Sequence, residues 1–181
     1  SLSIPLAYWT FSANASNADY LTRIAGNNQS FTASGSTDSY EFLLDRVFFR
    51  SKKLKLTFNS SLKTKDIESY TNDVIVDVGT RRLTILKLGL ANIFYSKYGV
   101  FYLKPSFAKG LKILNARADA SDLSPGSPHA QFTAYQLYGF YNGRFKLPKT
   151  NIPFTFNSAF DSQLANDELF SSESFSLGGQ Y

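Results

Sequence analysis

The sequence predicts an all-β fold, a transmembrane antiparallel β-barrel, and two observations carry that prediction. The first is the alternation in residues 54–63, where one parity is apolar at Leu54, Leu56, Phe58 and Leu62 and the other parity is polar. Because successive side chains of a strand point to opposite faces, this segment has one apolar and one polar face. The second is that the pattern recurs along the chain in segments of roughly 9–11 residues, the length that a tilted strand needs to cross a bilayer.

The composition fits a membrane protein built from strands. Hydrophobic residues make up 43% of the 181 residues, yet no run approaches the apolar length of a membrane-spanning helix. The 17 Phe and 11 Tyr are residue types that favour strands and form the aromatic girdles where a barrel meets the lipid headgroups. The chain has no Cys, which excludes a disulfide scaffold and thiolate chemistry.

Strands are predicted in order along the chain from the tail of a strand at residues 1–4. A tight turn follows at residues 5–7, because Pro5 fixes φ and cannot donate to a ladder. The next strand begins at Trp9. Further strands are predicted at residues 31–42, 54–65, 82–94, 101–113, 132–145 and 154–160. Residues 47–53 are predicted to be a basic connection, and the hydrophobic patch 74–76 inside a polar loop is a candidate strand extension.

Short and long connections alternate in this prediction. Short turns fall at residues 5–7, 50–53, 98–99 and 147–153, and longer polar loops fall at residues 23–29, 66–80, 115–128 and from 163 onward. Barrels of the outer-membrane type have short periplasmic turns and longer external loops, whereas a soluble lipocalin-like barrel has no reason to place its long loops at one end. The sequence therefore predicts about eight strands that cross a bacterial outer membrane.

The alternation also assigns side chains to the lumen or to lipid. Lumen-facing residues, which would line a transport path, are predicted to be Thr10, Ser12, Asn14, Thr57, Asn59, Lys87, Lys104, Thr155, Asn157 and Asp161. Lipid-facing residues are predicted to be Phe58, Leu86, Leu103 and Phe156. The predicted lumen is mostly neutral and polar, which suits weak contact with many sequences.

The net charge of +5 raises the question of a nucleic-acid partner. The Lys and Arg residues are scattered rather than clustered, so we expect no nucleic-acid binding. Six of them are predicted to gather at the long-loop end: Lys63, Lys65, Arg81, Arg82, Lys109 and Lys112. In an outer membrane that end faces lipopolysaccharide phosphates, which Lys and Arg can bind. Lipopolysaccharide binding and simple solvation of the loops both account for these residues.

Residues for enzyme chemistry do not form a recognisable site. His129 is the only His and follows Pro128 at the end of a loop, so we expect an exposed polar residue rather than a metal ligand or a proton relay. Four acidic residues near the end of the chain are expected to be a solvated loop: Asp161, Asp167, Glu168 and Glu173. No phosphate-binding glycine loop, zinc-ligand spacing or nucleophile elbow is present. We therefore predict that the protein is no enzyme and needs no cofactor or metal.

The two ends of the chain carry a family resemblance. Residues 1–12, SLSIPLAYWTFS, resemble a hallmark of the TpsB transporters of two-partner secretion, the haemolysin and haemagglutinin secretion/activation proteins of ShlB/FhaC/HecB type. Ala7 stands where Gly is usual in that family, so we expect the turn to accept a negative φ there. Residues 175–181, FSLGGQY, look like the run that leads into the Val-Arg-Gly motif of a loop folded into the barrel. Residues 109–111 and 130–132 also fit the family.

The resemblance implies an internal segment of a 16-stranded barrel, roughly its fourth to eleventh strands, with periplasmic domains before Ser1 and closing strands after Tyr181. It makes Gly178 and Gly179 the approach to the inward loop, although an ordinary glycine turn is an equal alternative. The implied function is translocation of an unfolded exoprotein of TpsA type through a polar lumen. A BamA-like insertase that helps other barrels fold and a general porin remain the alternatives.

Overall fold

The computed structural model describes residues 1–25, 30–72, 74–76, 79–120, 123–124, 126–146 and 153–174, and these form one antiparallel sheet. Its strands are β1 (Leu2–Leu6), β2 (Trp9–Ala25), β3 (Ser30–Arg50), β4 (Leu54–Thr71), β5 (Val74–Ile75), β6 (Arg81–Ser96), β7 (Gly99–Leu111), β8 (Thr133–Lys146) and β9 (Pro153–Ala165). No helix in these residues is long and apolar enough to cross a membrane.

The sheet is a meander in which each long strand pairs with the next. The order is β1-β2-β3-β4-β6-β7-β8-β9, and the short β5 pairs with β4. The predicted all-β antiparallel fold is thus confirmed, with eight strands in the path as expected. The apolar patch at residues 74–76, a candidate strand extension, contributes the two-residue strand β5, which pairs with the end of β4. Within the described residues β1 and β9 do not pair with each other, so the sheet is open at both edges.

Several strands are longer than the bilayer requires. β2 has 17 residues, β3 has 21 and β4 has 18, compared with the roughly 9–11 that a crossing needs. The extra length lies towards the long-loop end, where Asn17 Nδ2 on β2 donates to Asp38 Oδ1 on β3 at 2.9 Å. These strands are therefore long enough to project beyond the bilayer on that side.

The predicted basic connection at residues 47–53 is wrong in its first half. Val47 to Arg50 continue β3, because Phe48 and Phe49 suit a strand, and a bulge at Phe48 shifts the register against β4. Only residues 51–53 form the turn. There the Ser51 hydroxyl accepts hydrogen bonds from the backbone N–H groups of Lys53 at 3.3 Å and Leu54 at 3.0 Å.

The first turn differs from the prediction in two respects. Pro5 belongs to β1, opposite Thr10, where it is tolerated because β1 is an edge strand. The turn itself is Ala7 and Tyr8, and Ala7 has φ +54°, so the expected negative φ is wrong. A two-residue hairpin matches the strand twist only with a positive φ at its first central position. The strand geometry therefore imposes a left-handed conformation on an alanine.

The buried core is small and lies at the long-loop end of the sheet. It consists of Ile85, Ala108, Phe132 and Ala134, with Ala165 and Leu169 packed against it. Large hydrophobic side chains along the strands remain exposed instead, for example Phe42 at 65% and Phe156 at 46%. The strands thus do not enclose a soluble-type core, which is the arrangement expected of a barrel wall that faces lipid.

Candidate functional site

The strand register divides the predicted site residues between two faces. Residues that lie opposite each other on neighbouring strands belong to the same face. For example, Asn59 lies opposite Asp45 on β3 and Gly89 on β6. We call the polar face the one that carries Thr10, Ser12, Asn14, Thr57, Asn59, Lys87, Lys104, Thr155, Asn157 and Asp161. The opposite, apolar face carries Phe58, Leu86, Leu103 and Phe156.

The polar face is concave. Glu173 contacts two strands at once: its carboxylate pairs with Lys65 Nζ on β4 at 2.5 Å, and its backbone carbonyl accepts from Gln163 Nε2 on β9 at 3.0 Å. Strands β6, β7 and β8 lie between β4 and β9, so a flat sheet would separate the two positions by about 19 Å. One residue can reach both only because the sheet curves around this face.

Polar side chains on this face bind one another across neighbouring strands. Asn59 Nδ2 donates to Asp45 Oδ1 at 2.6 Å, and Asn142 Nδ2 donates to Asn157 Oδ1 at 2.5 Å. Lys87 Nζ donates to the Gln136 side-chain oxygen two strands away. Asn59 Oδ1 is buried and has no hydrogen-bond partner among the described residues. The polar side chains of this face are therefore hydrogen-bonded to one another, and Asn59 Oδ1 can still accept a hydrogen bond.

An aromatic patch, for which the alternation of the strands predicts no role, interrupts the polar face. Tyr102 on β7 stacks on Phe140 of β8 with a centroid distance of 5.2 Å, and Tyr138 lies 5.9 Å from Tyr102. The signal was present, because Tyr138 and Phe140 have the parity opposite to the apolar residues of their strand. A chain that moved along this face would meet rings as well as amides and hydroxyls.

The loop that joins β7 to β8 folds back over the polar face at the long-loop end. Gly110 permits the loop backbone to approach β7 closely, because a Cβ at residue 110 would lie 1.8 Å from the carbonyl oxygen of Ala130. The Gly110 N–H donates to the carbonyl of Phe132 at 3.0 Å. Phe132 is only 2% exposed. The two short stretches that fit the family in sequence, at residues 109–111 and 130–132, are thus in contact with each other.

Asp119 holds the same loop together. Its carboxylate accepts from the N–H groups of Ala130 at 2.7 Å and Gln131 at 3.0 Å, and its own N–H donates to Gln131 Oε1 at 2.6 Å. His129 Nδ1 lies 3.4 Å from Asp119 Oδ2, and the His129 N–H donates to the carbonyl of Glu168 at 2.9 Å. The expectation that His129 is an exposed polar residue is wrong, because it is half-buried. Its backbone N–H joins this loop to the segment after β9.

The acidic residues near the end of the chain serve separate contacts. Asp167 accepts from the N–H of Thr133 at 3.3 Å, whereas Glu173 pairs with Lys65 and Asp161 lies on the polar face of β9. In the part of the chain that the structure describes, no group of three or more His, Cys, Asp or Glu residues is arranged to hold a metal ion.

Three of the basic residues at the long-loop end have partners within the chain. Lys65 pairs with Glu173, Arg82 pairs with Asp66, and the guanidinium of Arg81 lies 4.3 Å from the ring centroid of Phe170. These contacts account for three cations without lipopolysaccharide, whose binding stays a prediction. Gly178 and Gly179 lie outside the described residues.

Comparisons with known proteins bear on the whole chain. The sequence profile of the family "Haemolysin secretion/activation protein ShlB/FhaC/HecB" matches residues 1–181. The outer membrane transporter CdiB of Escherichia coli is 28% identical over 182 residues, which is 99% of this chain and 29% of that protein. CdiB of Dickeya dadantii is 25% identical over 178 residues, 98% of this chain and 31% of that protein.

The sheet is also similar to a solved structure. CdiB from Escherichia coli matches with a TM-score of 0.89 at 25% identity, covering 98% of this chain and 32% of that one. The chain therefore spans about a third of the length of the proteins that it resembles.

Proposed function

Because the chain belongs to the haemolysin secretion/activation protein family ShlB/FhaC/HecB, we propose that its sheet is part of the wall of an outer-membrane pore that exports an unfolded exoprotein by two-partner secretion. The predicted barrel fold and outer-membrane location are confirmed, since the relatives are outer membrane transporters and the sheet matches the CdiB structure. The path of the exported chain, the identity of its partner and the absence of enzyme activity belong to the proposal.

The concave polar face is the observation that carries this proposal. An extended polypeptide has backbone N–H and C=O groups that cost several kcal/mol each when they are buried without partners, so a conduit must offer hydrogen bonds along its length. The polar face supplies amides and hydroxyls on β2, β4 and β9, whereas the four apolar-face residues that were assigned to lipid have no side-chain hydrogen-bonding group. The exported chain is therefore expected to pass along the polar face.

The loops define where such a path must open. Phe132 belongs to the core cluster on the polar face and Leu169 packs against that cluster, while Glu173 contacts both β4 and β9. These contacts occupy the long-loop end of the concave face, which faces the outside in barrels of this type. We propose that export displaces these loop segments while the strands stay paired.

The larger assembly follows from the length of the relatives. The sheet is open at β1 and β9, and the chain spans about a third of CdiB. We propose that it forms the middle strands of a 16-stranded barrel, with periplasmic domains that select the exoprotein. A BamA-like insertase and a general porin share the polar wall, but the family match favours the exporter.

Site-specific photo-crosslinking in the full-length protein tests the proposed path. A photoreactive residue is placed at Asn59 or Asn157 on the polar face, and matched positions one residue away, Phe58 and Phe156, test the apolar face. During secretion we expect crosslinks to the exoprotein from Asn59 and Asn157 only. Crosslinks from Phe58 and Phe156 but not from their neighbours would reject the conduit.

A further inference from the structure

The apolar face carries a basic and aromatic cavity that the export path does not explain. It has a volume of about 320 Å³ and lies between the start of β2 and the end of β3. Its lining residues are Tyr8, Trp9, Arg46, Val47, Phe48, Phe49 and Arg50. The bulge at Phe48 shapes it, because the extra residue places a second ring beside Arg46.

Two rings hold the guanidinium of Arg46. Its Cζ lies 4.7 Å from the ring centroid of Trp9 and 5.4 Å from that of Phe48. The ring centroid of Phe48 in turn lies 6.0 Å from that of Phe58, which was predicted to face lipid. Cation–π contacts of this kind fix the side chain and leave the guanidinium edge, which carries the N–H donors, free for a further partner.

The charge of Arg46 has no acidic partner. Within the described part of the chain no carboxylate lies within ion-pair distance, and the lining of the cavity contains no Asp or Glu. The neighbouring Asp45 is on the polar face, where it accepts a hydrogen bond from Asn59. Arg50 also lines the cavity, but it lies opposite Lys55, whose parity is that of the polar face, so the uncompensated charge on the apolar face is that of Arg46.

The position of the cavity restricts what can neutralise this charge. Trp9 directly follows the turn at Ala7 and Tyr8, and Arg46 is its cross-strand partner, so both lie near the short-turn end of the sheet. In barrels of this type short turns are periplasmic and aromatic residues mark the membrane interface. An Arg on the lipid face costs about 2–4 kcal/mol at the midplane but only about 0–1 near the interface.

We propose that this cavity binds the phosphate of an anionic phospholipid in the periplasmic leaflet. The guanidinium fork of Arg46 matches two phosphate oxygens. The rings of Trp9 and Phe48 suit the glycerol and the first acyl carbons, because aromatic side chains sit between water and hydrocarbon. Lipopolysaccharide is the alternative anion, but its phosphates are expected at the opposite, long-loop end.

Native mass spectrometry of the full-length protein with added phosphatidylglycerol tests this site. Arg46→Gln is compared with Arg144→Gln, which removes the same charge from β8 near the short-turn end but on the polar face. We expect Arg46→Gln to weaken phosphatidylglycerol retention by roughly five- to tenfold and Arg144→Gln to leave it unchanged. Arg46→Lys should retain part of the affinity, since the charge stays and the fork is lost.

Several results would overturn the proposal. Equal retention by the wild type and Arg46→Gln would do so, as would an equal loss in Arg144→Gln, which would indicate a general charge effect. Diacylglycerol, which lacks the phosphate, must not bind as well as phosphatidylglycerol. If lipopolysaccharide at equal concentration displaced phosphatidylglycerol, the site would bind lipopolysaccharide instead, and the proposal would be wrong. Heat-modifiable migration of each variant verifies that the barrel is folded, so a loss of lipid is not mistaken for a loss of structure.

Discussion

Gly110→Ala is expected to release the loop between β7 and β8 from the polar face. The added Cβ would stand 1.8 Å from the carbonyl oxygen of Ala130, a backbone atom that cannot swing aside like the end of a side chain. The segment must therefore move, which removes the hydrogen bond from Gly110 N–H to the Phe132 carbonyl and exposes the Phe132 ring.

The magnitude follows from these two contacts. Exposing a buried Phe costs about 1.5–3 kcal/mol, and a backbone hydrogen bond contributes about 0.5–1.5 kcal/mol. Partial relaxation keeps the net loss near the lower end, about 2 kcal/mol, which is a change of roughly thirtyfold in the equilibrium between docked and undocked loop. The strand pairing of β7 with β8 does not depend on these contacts, so the barrel should still assemble.

Hydrogen exchange of the full-length protein measures this change. The N–H groups of Ala130 and Gln131, which donate to the Asp119 carboxylate, should exchange roughly ten- to a hundredfold faster in the variant. Gly89→Ala is the matched control, because residue 89 is on the polar face of the adjacent β6 and its Cβ would meet mainly the flexible end of Lys104, at 3.1 Å. Unchanged protection at Ala130 and Gln131 would refute the packing argument.

Three further predictions concern the loop segment after β9, the two faces and the first turn. Lys65→Gln or Glu173→Gln should weaken docking of residues 172–174 by about 1–3 kcal/mol, and the double variant should cost less than the sum, as read from amide exchange. Phe156→Arg should destabilise the folded barrel by about 2–4 kcal/mol in urea unfolding if residue 156 is near the midplane, whereas Asn157→Arg should cost less than about 1 kcal/mol. Ala7→Gly should raise stability by up to about 1 kcal/mol in the same assay, because Gly accepts φ +54° without strain; a loss of stability would contradict the turn geometry.

The faces of the strands could be predicted because they depend only on local alternation. Phe58 and Asn59 are adjacent, and the pleat alone sends them to opposite faces, so no knowledge of the neighbouring strands was needed. The positions at which strands end are harder to predict. β3 continues to Arg50 past the basic residues, and β2 runs to Ala25 through polar sequence, because pairing with a neighbour sustains a strand where no apolar face marks it.

The covering of the polar face could not be predicted from alternation. The loop contacts join residues far apart in sequence, such as His129 with Glu168 and Lys65 with Glu173, and none of them follows a period. Gly110 offered the one local sign, a glycine in a strand, which often marks a close approach of another backbone. An alanine where Gly is usual predicts a negative φ at residue 7, but the twist of the two strands requires a positive φ at that turn position whichever residue occupies it.

The distribution of contacts separates the parts of the sheet that can move during the proposed export from the parts that cannot. Each long strand is bonded to its neighbours along most of its length, so parting two strands would break a whole ladder at once. The loop covering rests on a few contacts, chiefly Lys65 with Glu173, the Asp119 carboxylate and the ring of Phe132, each worth about 1–3 kcal/mol. A polypeptide that forms new hydrogen bonds with the polar face can offset losses of that size one at a time. The wall can therefore stay intact while its long-loop end opens, which is the behaviour that a conduit for an unfolded chain requires.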